Sequence, residues 1–172
     1  MSAVLVAMGV LMTVLGSVID LFDLTASALC SLLVAFAYIE IGSPYTYLVF
    51  VCTAALSAVL FPGSFMWVSY LFIFGSYPIL KGYIERLGRA LWLPLKLIYA
   101  AIASSGTALM SSFVLGVPLV EGTLLSSLSP ILVYGALGLL SLLAFVLYDY
   151  FLTVLIRYYF NKLRPRLKHL FK

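Results

Sequence analysis

The stretch FGSYPILKGYIERLGRALWLPLK, residues 74–96, holds the first positive charge in the chain. Residues 1–80 contain no Lys or Arg; then Lys81, Glu85, Arg86, Arg89 and Lys96 come in quick succession. Long apolar runs lie on both sides. A short basic segment between two apolar runs has the pattern of a cytoplasmic loop between membrane helices, because short basic loops are retained on the cytoplasmic side. Reading outward from this segment sets the orientation of the whole chain.

The rest of the composition agrees. The chain has 172 residues, 65% of them hydrophobic and 9% charged, with a mean hydropathy of +1.19. A soluble domain is about 25% charged, so this chain has too little polar surface to cover a water-exposed globule. It reads as an integral membrane protein with no room for a soluble catalytic domain. The net charge of +4 is localised. That localisation argues for membrane topology and against nucleic-acid binding. Cys30 and Cys52 sit inside apolar runs without metal-ligand spacing and read as packing residues. The N-terminus lacks a basic region and a cleavage site, and reads as a retained first helix.

Six apolar segments are predicted to be helices, at about 3–19, 24–42, 45–61, 65–82, 90–117 and 130–160. They form a membrane domain over 1–160. A basic tail, 161–172, follows. The loop with Lys81, Arg86 and Arg89 and the tail with Lys162, Arg164, Arg166, Lys168 and Lys172 are separated by two helices and fall on one side, and Arg157 at the end of the last helix joins them. The expected fold is therefore an all-α polytopic bundle of six transmembrane helices with both termini cytoplasmic, in a bacterial cell membrane. The outer loops then hold Asp20, Asp23 and Glu121 and no basic residue. Small residues in TASALCS, CTAALSA, AAIASSGTALMSS and GALG allow close helix contact in lipid.

Ionisable residues at membrane depth point to function by default. Glu40, Lys81, Lys96 and Asp149 all fall toward the cytoplasmic side. Lys96 lies roughly 9 Å into its helix and Asp149 about 12 Å from Arg157, at 1.5 Å rise per residue. The leading reading is an ionic cluster that clamps helices two, four, five and six together. Snorkelling of the lysines to the headgroups and a proton or ion relay are the other two readings. On the outer side, Asp20, Asp23, Trp67, Tyr70 and Glu121 combine polar groups with aromatic walls, the make-up of a small-ligand site. Ordinary interfacial loop residues would look the same. His169, in the tail, is the only histidine, and no phosphate-binding loop is present. No catalytic residue, metal or cofactor is expected.

In architecture the chain resembles the substrate-binding S components of energy-coupling factor transporters, compact six-helix membrane proteins of similar length. The stretch AVLVA places Ala3 and Ala7 at the small-xxx-small spacing with which the first helix of that family contacts its partner. AYIEIGSPYTYLV and FIFGSYPILKGYIERL are also similar to stretches of small uncharacterised membrane proteins of Gram-positive bacteria. The resemblance implies a vitamin-like nutrient captured near the outer face. It also implies docking on a transmembrane scaffold that carries two ATPases. A second reading stays open: a non-transporting membrane protein that scaffolds or regulates another complex through its small-residue faces and its basic tail.

Overall fold

Helices account for nearly all of the computed structural model, which describes residues 1–18, 23–114, 116 and 130–164. Seven α-helices occur among these residues: α1 (Ser2–Val18), α2 (Asp23–Glu40), α3 (Ser43–Leu60), α4 (Phe65–Ser69), α5 (Tyr77–Ile84), α6 (Arg89–Val114) and α7 (Pro130–Tyr158). A π-helical segment, Tyr70–Phe74, follows α4, and another, Tyr159–Leu163, extends α7. The helical angles of Tyr70, Gly75 and Ser76 carry the backbone from α4 through the π segment into α5. The six apolar stretches of the sequence thus become six helical rods. No strand occurs among the described residues.

Four segments are long and apolar enough to cross a membrane: Asp23–Glu40, Ser43–Leu60, Leu91–Val114 and Gly135–Lys162. The α1 helix is apolar but shorter, and the fourth rod is interrupted. A run of this kind has to satisfy every backbone group internally once water is excluded, which is why helix is its only local solution.

The first three rods pack through small and hydroxyl residues. Gly9, Thr13 and Gly16 are buried along one face of α1, spaced to line up on that face. A Cβ at Gly16 would lie 2.5 Å from Met66 Sδ and 2.8 Å from Ala26 Cβ, so α1 approaches α2 and α4 as closely as a bare backbone allows. Ser57 Oγ lies 2.8 Å from Thr13 Oγ1 and 2.7 Å from the Thr53 carbonyl, joining α1 to α3. Gly16→Val is therefore expected to destabilise the bundle by about 1–3 kcal/mol, the usual cost of overpacking. Thermal unfolding in detergent, compared with Leu15→Val on the exposed face of α1, measures it. Between α2 and α3 the chain turns in two residues, and Gly42 sits at φ 102°, a conformation that only glycine adopts freely.

The interruption of the fourth rod has a cause in sequence. Pro78 has no N–H to donate to the Phe74 carbonyl four residues earlier. The Tyr148 hydroxyl of α7 reaches that carbonyl at 3.5 Å. In the π segment the Gly75 N–H bonds to the Tyr70 carbonyl, 2.7 Å away, one residue further back than in an α-helix. Tyr99 of α6 donates to the Phe72 carbonyl at 2.6 Å and accepts from Ser76 Oγ at 2.6 Å. Side-chain hydroxyls from two other rods thus cap the carbonyls that the break frees. This ties α6 and α7 to the fourth rod at the level of the break.

Candidate functional site

The break places Tyr77 and Lys81 one turn apart on the same face of α5, both directed at α7. Tyr77 is fully buried and Lys81 is 2% exposed. The ring of Tyr77 stacks on Tyr99 at 5.6 Å and meets Phe145 edge-on at 4.7 Å. Its hydroxyl donates to Asp149 Oδ1 at 2.5 Å. Lys81 pairs with the same Oδ1 and also donates to Thr153 Oγ1 at 2.7 Å. From α6, Lys96 binds the other carboxylate oxygen, Oδ2, at 2.8 Å. Glu85 closes the circuit: its Oε1 lies 3.2 Å from Lys81 Nζ and 3.6 Å from Lys96 Nζ.

Two cations and two anions from three rods therefore neutralise one another. Lys81 donates to the Asp149 carboxylate and carbonyl and to Thr153, and it is ion-paired with Glu85. A buried charge is tolerable only with this degree of pairing and hydrogen bonding. Among the described residues no group of His, Cys, Asp and Glu side chains is placed to hold a metal. The arrangement closes this end of the bundle.

The structure divides the predicted charges differently from the sequence reading. Lys81, Lys96 and Asp149 come together, but Glu40 does not join them. It accepts from the Tyr159 hydroxyl at 3.0 Å and lies 3.1 Å from Arg164 Nε, linking the ends of α2 and α7. Glu85 takes the place expected for Glu40. The i, i+4 spacing of Lys81 and Glu85 was the available signal for that pair. Tyr77 carries no charge and was missed; Thr153, one turn beyond Asp149 and on the same helical face, accepts from Lys81.

At the opposite end, the C-terminus of α1, the start of α2 and the segment between α3 and α4 surround an open groove of about 470 Å³. Ser17, Asp23, Phe61, Ser64 and Phe65 line it. Ser64 caps α4 by accepting from the Met66 N–H. Trp67 is anchored beside it, its indole N–H donating to the Pro62 carbonyl at 3.1 Å. Tyr70 corrects the expectation for this end: it is 1% exposed, packed in the core against Phe50, and lines no part of the groove. Asp20 and Glu121 lie outside the described residues. Ala3 and Ala7 are exposed on α1 beside Val4, Met8 and Leu11, on the face away from Leu5, Gly9 and Thr13.

Comparison of the chain with known protein families, with curated proteins and with solved structures finds no match in any of the three.

Proposed function

We propose that this chain is the substrate-capturing membrane subunit of a nutrient uptake system, with six spans and both termini cytoplasmic. One observation carries the reading: the bundle is closed at one end by a charge-neutral clamp and open at the other through a groove that mixes a carboxylate, hydroxyls and aromatic rings. A capture subunit needs this asymmetry, since it must take a small molecule from one side without leaking to the other. Among the described residues the basic side chains lie toward the clamp end, which supports an outer position for the groove. On this reading α1 docks on a separate transmembrane scaffold carrying ATPases, through the exposed face with Ala3 and Ala7. Small residues there permit close approach in lipid.

The test is purification from native membranes in mild detergent, followed by mass spectrometry of what stays bound. Stoichiometric ATPases with a membrane scaffold, and a small molecule released on denaturation, are the expected result. Neither being present would sink the proposal. The second reading, a scaffolding or regulatory subunit, is favoured by α7, of whose membrane-length segment only 11% is buried. Leu139, Leu140, Leu143 and Leu147 are exposed, and the space around Gly135 and Gly138 is open. A stoichiometric membrane partner with no ATPase would select that reading.

A further inference from the structure

Between α2 and α7 runs a cleft with two lobes, of about 280 and 170 Å³. Ala35, Ile39 and Ile156 line both lobes, so the two are neighbours. The larger lobe is walled by Leu32, Phe36 and Leu155 and is almost wholly apolar. At roughly the volume of one water per methylene, it holds on the order of nine methylenes. Both helices that form it are long and apolar enough to cross a membrane. A slot in that position excludes water and is open to hydrocarbon.

The mouth of the cleft has a different chemistry. Tyr158 and Tyr159 line it. Lys162 Nζ lies 5.4 Å from the centre of the Tyr158 ring. Glu40 is the acid at this rim, and Arg164 and Tyr159 engage it. The rim is therefore net positive. In the smaller lobe the Tyr38 hydroxyl is buried with no hydrogen-bond partner among the described residues. Lys81 and Glu85, also on that lobe, are paired with each other, so a negative group is directed to the Lys162 side.

We infer that this cleft binds one molecule of anionic phospholipid, with an acyl chain between α2 and α7 and its phosphate at Lys162. Basic pockets between membrane helices take such headgroups. A glycerol ester carbonyl lies below the phosphate of such a lipid and is an acceptor of the kind the Tyr38 hydroxyl lacks. The occupant fills the space beside the clamp, so α7, joined to the other rods by few side chains, would be seated on the lipid as well as on Asp149.

The experiment uses the full chain in nanodiscs of equal dioleoylphosphatidylglycerol and dioleoylphosphatidylcholine, released into mild detergent for native mass spectrometry. One phosphatidylglycerol per chain should be retained in preference to phosphatidylcholine. Lys162→Gln should reduce that preference by roughly fivefold. Ile156→Trp, which fills the junction of the lobes, should remove the retained lipid while circular dichroism shows a folded chain. Equal retention of the two lipids by the native chain would overturn the inference. So would a folded Ile156→Trp protein that still holds phosphatidylglycerol, since that lipid would then be an outer-shell molecule. If Ile156→Trp does not fold, Lys162→Gln decides, and an unchanged preference refutes the site.

Discussion

Lys81→Ala is expected to destabilise the bundle by about 3–5 kcal/mol, the range for removing one partner of a buried ion pair. The loss comes mainly from what stays behind. Without Lys81, Asp149 keeps Lys96 and the Tyr77 hydroxyl, but Thr153 loses its donor and Glu85 keeps only the longer contact to Lys96. Thermal unfolding in detergent reads the effect. Arg86→Ala serves as the control: Arg86 is exposed and outside the cluster, so its removal should stay within about 0.5 kcal/mol. Equal shifts for the two variants would mean that the cluster holds nothing together. A second arm separates pairing from packing. Lys81→Met combined with Asp149→Leu removes both charges at once and leaves Glu85 with Lys96. Replacing a buried pair by apolar residues of similar volume is often neutral, so the double variant should recover most of the loss. A double variant as unstable as the sum of its parts would show that the two residues act independently.

The distribution of apolar residues made the helical rods legible. Runs such as residues 3–19 and 130–160 contain few charges, and Pro44 and Pro62 with their neighbouring glycines mark the turns. Lys81, Lys96 and Asp149 were legible as a group because a charge at membrane depth needs a partner, and few charges were available. Glu40 was misassigned because depth along a helix says nothing about direction around it. It lies in the last turn of α2, where the Tyr159–Arg164 end of α7 is nearer than α5. Tyr70 was misassigned for a related reason. Tyr70 continues the regular turn of α4, its N–H bonded to the Met66 carbonyl, and that turn carries its ring against Phe50 in the core. Pro78 signalled an irregularity, but its form depended on Tyr99 and Tyr148, two hydroxyls far away in sequence that supply the missing hydrogen bonds. No local pattern encodes that compensation.

Tyr77 is the residue on which the two halves of the clamp meet, and two substitutions separate its roles. Its ring is stacked on Tyr99 and set against Phe145 and Tyr148, while its hydroxyl bonds to the carboxylate of Asp149. Tyr77→Ala removes ring and hydroxyl together. Large-to-small changes at buried aromatics cost about 3–5 kcal/mol, and the cavity here would adjoin Lys81. Tyr77→Phe keeps the ring and removes one hydrogen bond to a charged group, at about 1.5–3 kcal/mol. Unfolding of both variants in detergent, each repeated in the Asp149→Leu background, distinguishes the terms. With the carboxylate gone, Tyr77→Phe should cost little, because its acceptor is already missing. Tyr77→Ala should cost nearly as much as before, because the ring contacts remain. If Tyr77→Phe is as costly without Asp149 as with it, the hydroxyl acts elsewhere and the carboxylate is held by the lysines alone. The coupling between Tyr77 and Asp149 thus measures how far the broken rod and the ionic cluster form one unit. A helix broken at Pro78 has to be fixed from outside, and the charges that close this end of the bundle are also what hold α7 against it.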